Sequence, residues 1–380
     1  MKRVGIITLN GYFNYGNRLQ NYALQHAIEM LNFECETILN DTYILKQNNK
    51  NNSKVDKIKY FLKKDFLSQL ITINEKINKK RIQKINQNRT EIFKEFSKKY
   101  LNETQFSISI NNIRKNLENK YEYFVSGSDQ VWNPNDPMVS EINFMTFAPK
   151  SKRLTYAPSF GVSSIPEKYK KDYSKWLEGL DNISVREEEG AKIVRDLTGK
   201  EAVVLIDPTM LLSKEKWLSI SKEHYNKPKG KYLLTYFLGE MSKDSKERLK
   251  KIAKNKNLEI VNLADIKHKK YYGTGPSEFI DYIDNAEIFM TDSFHGCVFS
   301  LLLETPFIVC DREGHTKEEN MGSRIETFVK KFKLESRKFN NIKEEDIFKC
   351  NYSESKKILD EERKKAWNYI KESFNIYDRD

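Results

Sequence analysis

Along the chain, short unbroken apolar runs alternate with segments in which apolar residues recur every three or four positions. Residues 3–9 (RVGIITL) form the first run and stop at Asn10-Gly11, the pattern of a strand buried on both faces and followed by a loop. Over 18–31, Leu19, Tyr22, Ala23, His26, Ala27 and Met30 share one helical face, and 33–39 supplies the next strand, so the chain opens as βαβ. The rhythm predicts strands at 121–126 and 153–156, a helix near 168–180, a strand at 182–185, a helix from Glu187 and a strand at 202–206. After Pro228-Lys229-Gly230 it starts again: strand 232–237, helix 242–254, strand 258–262, helix 276–285, strand 287–290, helix 296–303 and strand 307–310. Ile358, Leu359, Ala366, Trp367, Tyr369 and Ile370 predict a long last helix. The expected fold class is α/β: two Rossmann-like doubly wound domains over 1–225 and 226–350, with a C-terminal helix at 351–380 that packs back on the first.

Residues 46–100 break this rhythm. Val55, Ile58, Leu62, Phe66, Leu70, Ile73 and Ile77 stand at helical spacing among Lys and Asn, which predicts one or two amphipathic helices inserted into the first domain. The segment carries 16 Lys+Arg against 5 Asp+Glu, so it holds nearly all of the chain's net charge of +12. A general nucleic-acid surface therefore does not follow, and no nucleic-acid partner is expected. The segment reads either as a solvated face or as a patch approaching an anionic membrane or a lipid-diphosphate-linked acceptor.

With 380 residues, 38% hydrophobic, including 22 Phe and 20 Tyr, the chain has enough apolar material for two or three domains at roughly 100–200 residues each. Cys35, Cys297, Cys310 and Cys350 form no CxxC pair, so neither a disulfide framework nor a zinc cluster is indicated, no metal is expected, and the compartment reads as reducing. The apolar run 4–9 is too short for a signal peptide, and 298–309, interrupted by Glu304 and Pro306, falls far short of the roughly 20 residues of a membrane span. A cytoplasmic protein is expected, with 46–100 offering peripheral contact at the inner face of the membrane.

Four loops sit where an open α/β sheet places its ligands, beyond the carboxyl ends of strands. In 10–20 (NGYFNYGNRLQ), Gly11 and Gly16 allow close backbone approach and the following helix start suits an anion, although Asn and Gly also make ordinary turns. In 127–134 (GSDQVWNP), Ser128, Asp129, Gln130 and Asn133 with the flat face of Trp132 suit a polyhydroxyl ligand. Arg186, in 184–188 (SVREE), stands at a strand–helix junction where a guanidinium can clamp a carboxylate or phosphate. In 292–296 (DSFHG), Ser293 can cap a helix whose first turn carries His295, with Gly296 leaving room for a ligand, whereas His26, His224, His268 and His315 lack such settings. No GxGxxG dinucleotide fingerprint follows any strand.

Taken together, NYGNRLQNYALQ (14–25), GSDQVWNP (127–134), SVRE (184–187), DPT (207–209), TDSFHG (291–296) and MGSRI (321–325) resemble, in order, the motifs of the polysaccharide pyruvyl transferase family. The resemblance implies two domains facing a cleft, as in the glycosyltransferase B architecture, and transfer of pyruvate from phosphoenolpyruvate to two hydroxyls of a cell-surface sugar as a ketal. It implies phosphoenolpyruvate as co-substrate with no other cofactor, and a sugar acceptor that is free or lipid-linked. By this reading His295 and Asp129 are catalytic. Arg186, Arg324, Ser293, Asn17 and Gly16 bind the anionic donor, and Ser128, Gln130, Trp132 and Asn133 bind the acceptor. Many relatives carry Arg-Leu before the histidine where this chain has Ser293-Phe294, so an arginine contact to the donor is missing at that position. A nucleotide-sugar glycosyltransferase on the same scaffold, or a non-catalytic sugar- or anion-binding protein, remain the alternatives.

Overall fold

The computed structural model describes residues 2–42, 66–311 and 323–376. His315, Met321-Gly322 and the first part of the predicted insertion, with Val55, Ile58 and Leu62, lie outside the described residues. Strands β1 (Arg3–Ile7), β2 (Glu34–Asn40), β3 (Glu103–Ile108), β4 (Tyr123–Asp129) and β5 (Arg153–Pro158) form a parallel sheet in the order β3-β2-β1-β4-β5. The order turns back between β1 and β4, which puts a ligand crevice beyond their carboxyl ends. Two-residue strands β6 (Ser184–Val185) and β7 (Val203–Val204) pair separately. A second parallel sheet joins β8 (Tyr232–Tyr236), β9 (Glu259–Asn262), β10 (Ile288–Thr291) and β11 (Phe307–Val309) in the order β11-β10-β8-β9.

The apolar runs landed as strands within a residue or two, with two differences. Strand β3 was not expected, because ETQFSI is polar at alternate positions; it is the sheet's edge, where only part of the strand is covered. Strand β4 runs on to Asp129, so Gly127 and Ser128, expected in a loop, are strand residues.

Helix α1 (Tyr15–Glu29) follows β1, and its buried face joins a core that draws on both sheets. Tyr15 stacks on Phe279 from the second half, centroids 4.2 Å apart and planes 9° off parallel, so α1 packs against both halves. The described part of the insertion is one helix, α2 (Phe66–Tyr100). Its last turns are anchored: Phe93 and Phe96 enter the shared core, and buried Arg89 donates to the Tyr15 hydroxyl at 3.1 Å and to the Phe13 carbonyl at 3.4 Å. A solvated basic face thus describes only part of it. The final helix (Ser353–Ser373) returns to elements before residue 225, with Arg363 donating to the carbonyls of Met210 at 2.7 Å and Leu212 at 2.8 Å, and Phe374 packing on Phe33 and Tyr123. Among the described residues no helix is long and apolar enough to cross a membrane.

Candidate functional site

The carboxyl ends of β1 and β4 face those of β8 and β10 across a cavity of about 350 Å³. Three helix N-termini contribute its walls. Helix α1 begins at Asn14, whose side chain accepts from the Asn17 amide at 3.2 Å, and both asparagines line the cavity. Helix α3 (Phe294–Leu303) begins at Ser293, which accepts from the Gly296 amide at 3.3 Å and places His295 in the first turn. Helix α4 (Ser323–Lys331) brings in Arg324. Helix dipoles and two basic side chains therefore meet at one place among the described residues, an arrangement that suits an anion.

Behind the cavity runs a chain of alternating charge. Arg186 donates from one terminal nitrogen to Asp207 at 2.6 Å and from the other to Asp129 at 3.2 Å, and Arg324 lies 3.8 Å from the same Asp129 oxygen. His295 Nε2 stands 3.4 Å from Asp207, within ion-pair range though without an aligned hydrogen bond. The other Asp207 oxygen accepts from the Thr209 amide at 3.0 Å and hydroxyl at 2.7 Å. Phe294 lies beneath both guanidiniums, with Arg186 4.6 Å and Arg324 5.9 Å from the ring centroid. Burial alone would raise both carboxyls. Instead, Arg186, His295 and Arg324 hold Asp129 below its ordinary 3.8, and His295, Arg186 and the Thr209 amide hold Asp207 well below it too. Burial in turn disfavours the Arg186 cation, but Asp207 and Asp129 outweigh it and raise its pKa.

Two backbone features shape the site. Asp129, which lines the cavity, has φ 67°, a left-handed conformation that Asp tolerates better than most side chains. Gly16 supports His295: a Cβ there would lie 2.0 Å from the ring's Nδ1, so only glycine lets the imidazole lie flat against α1.

Of the expected donor and catalytic residues, His295, Asp129, Arg324, Ser293 and Asn17 all line the cavity. Arg186 does not. Its side chain is 1% exposed and turned to Asp207 and Asp129, which also explains how a cation is tolerated at a helix start. Gly16 makes room for His295 instead of for a ligand.

The expected acceptor set needs more correction, because only Gln130 lines the cavity. Trp132 is 0% exposed: its ring stacks on Phe144 at 4.9 Å, and its indole N–H donates to the Asn143 carbonyl at 3.1 Å, so it is core and offers no face to a sugar. Ser128 is buried in β4, with its amide on Gln20 and its hydroxyl on the Ala157 carbonyl at 2.7 Å. Asn133 accepts from the Asn135 amide at 2.9 Å and so shapes the turn. Residues that lie in motifs singled out in the sequence, but were given no separate role there, complete the site. Asp207 was visible only within a motif. Asp292 accepts from the Leu238 and Gly239 amides at 2.7 and 2.8 Å, while buried Arg18 donates to Asn17 at 3.0 Å and pairs with Glu103 at 2.8 Å.

Among solved structures, a putative UDP-N-acetylglucosamine 2-epimerase from Listeria monocytogenes aligns with a TM-score of 0.47 and 10% identity, covering 100% of this chain and 98% of that one. The UDP-GlcNAc 2-epimerase of Methanocaldococcus jannaschii gives a TM-score of 0.40 at 14% identity over 95% and 99% of the two chains. MurG of Acinetobacter baumannii gives 0.39 at 8% over 99% of each. No curated protein matches in sequence. The family model of Polysaccharide pyruvyl transferase matches residues 14–314, taking in α1, strands β2 to β11 and α3, while β1 and the cavity-lining Leu9, Gly11 and Phe13 precede the match. With residues 14–314, most of its length, matched by that model, the chain belongs to the polysaccharide pyruvyl transferase family.

Proposed function

We propose that the protein transfers a pyruvyl group from phosphoenolpyruvate to a sugar of a cell-surface polysaccharide or its lipid-linked precursor, closing a pyruvate ketal and releasing phosphate. The observation that carries this reading is the convergence of three helix N-termini, His295 and Arg324 on one cavity. Phosphoenolpyruvate carries a carboxylate and a phosphate close together, which is what such a wall would hold. Arg324, arriving from α4 beside Phe294, offers the guanidinium that Ser293 leaves out.

In the reaction, protonation of the methylene carbon makes the enol carbon electrophilic, and a first sugar hydroxyl adds to it. Phosphate then leaves, and a second hydroxyl closes the ketal. Of the two protons the hydroxyls give up, one balances the new methyl group and the other leaves with phosphate. His295 and Arg324 bind the departing charge, with His295 placed to move a proton at the reacting carbon. A carboxylate held below its ordinary range is a weak base, so Asp129 with Gln130 receives the acceptor hydroxyls and orients them.

The test is phosphate release that requires both phosphoenolpyruvate and a sugar acceptor, with nucleotide sugars as the contrasting donors. Gly16→Ala is expected to abolish a thermal shift by phosphoenolpyruvate and to lower turnover at least tenfold, since the new methyl displaces the imidazole. Its own unfolding midpoint should fall as well, because the Cβ would overlap the near end of the buried ring, 2.2 Å from Cγ, so turnover is compared at a temperature where the variant stays folded. Stabilisation by a nucleotide sugar but not by phosphoenolpyruvate would replace this reading with a glycosyltransferase.

A further inference from the structure

The cavity's outer rim is apolar. Phe13, on the loop between β1 and α1, is 68% exposed, and Leu238, just beyond β8, is 45% exposed; both line the cavity, as does Met138 from the loop after β4. Single exposed apolar side chains need no explanation, but apolar residues from three loops at one cavity mouth do. Both loops are held in place by buried polar groups. The Phe13 carbonyl accepts from Arg89 at 3.4 Å, and the Leu238 amide donates to Asp292 at 2.7 Å. Gly11 seats the ring: a Cβ there would lie 2.7 Å from its Cε1, so the missing side chain is what lets the phenyl settle on its own loop. The large flat surface expected of Trp132 is thus present, in a different residue.

We infer that Phe13 is the stacking platform of the acceptor subsite, taking the face of a pyranose that carries axial C–H groups, while Gln130 and Asp129 one step deeper receive the hydroxyls. A sugar ring is amphipathic. Its C–H face gains by covering an exposed aromatic ring, and its hydroxyl edge needs acceptors directed inward. With the anion wall at the cavity floor and Phe13 at the mouth, the acceptor hydroxyls are presented to a donor already bound beneath. This assignment rests on the proposed function for the identity of the acceptor as a sugar.

Saturation-transfer NMR with methyl glycosides of glucose, galactose, mannose and their N-acetylamino derivatives, at millimolar concentration, tests it without turnover. At least one glycoside is expected to bind the wild type, with the strongest transfer on its axial ring protons. Phe13→Ala should weaken that binding roughly tenfold or more, and Phe13→Tyr should retain it. Phosphoenolpyruvate's thermal shift should be the same in all three proteins. Equal glycoside binding by Phe13→Ala, or no glycoside signal from the wild type, overturns the assignment. Phe13-dependent glycoside binding without any response to phosphoenolpyruvate would instead remove the pyruvyl-transfer reading and leave the sugar platform standing.

Discussion

Replacing His295 with alanine is expected to lower kcat/KM for phosphoenolpyruvate by roughly 10²–10⁴, the range in which a positioned proton donor or anion-stabilising group acts. The side chain stands in the first turn of α3, between Gly16 and Asp207, and its loss removes one of the two basic side chains that line the cavity among the described residues. The carboxylates behind it would remain, so the field at the donor site turns against an anion while the cavity grows. The fold should survive, because Asp207 keeps Arg186 and Thr209 as partners. Phosphate release and the thermal shift by phosphoenolpyruvate should therefore fall together, with the unfolding midpoint nearly unchanged. Turnover equal to wild type would take His295 out of the mechanism. If kcat fell while the donor-induced shift persisted, His295 would act in proton transfer and not in donor binding.

The fold was legible where burial is two-sided. Parallel strands covered on both faces must be apolar throughout, and β1, β4, β8 and β10 announce themselves in that way; edge strand β3, covered in part, does not. At the site, position along the chain was informative and side-chain direction was not. The loops after β1, β4 and β10 do meet at the cavity, because the doubly wound topology brings them there. Whether a residue in such a loop faces ligand or core depends on contacts far away in sequence. Trp132 turns inward because Phe144 and the Asn143 carbonyl offer a stack and an acceptor, while Phe13, in a loop read for its glycines, turns outward. Arg186 was rightly singled out as an anomaly at a helix start, but its anions are the protein's own.

Removing Asp207 as Asp207→Ala is expected to cost about 3–5 kcal/mol of stability, the range for breaking a buried ion pair by deleting one partner. Asp207 is 0% exposed and Arg186 1% at the side chain, so water cannot replace the lost carboxylate, and Arg186 would keep only the longer contact to Asp129. Asp207→Asn should cost less, since its amide oxygen can still accept from the Thr209 amide and hydroxyl. The same carboxylate predicts a pH dependence. Burial opposes its ionisation, yet His295, Arg186 and Thr209 hold its folded pKa below the ordinary 3.8, so in acid the unfolded chain binds the extra proton first. Its stabilising contribution is complete above the unfolded pKa of about 3.9 and is lost as pH falls toward the lower folded value. Urea midpoints measured from neutral pH down to the carboxylate range should therefore decline for the wild type, and decline less steeply for Asp207→Asn. Equal midpoints and equal acid slopes in the two proteins would show that the Asp207 network does not hold the site together. Because the same oxygen faces both Arg186 and His295, the Asn variant should also lose turnover even where it is fully folded. That loss would separate the positioning role of Asp207 from its contribution to stability.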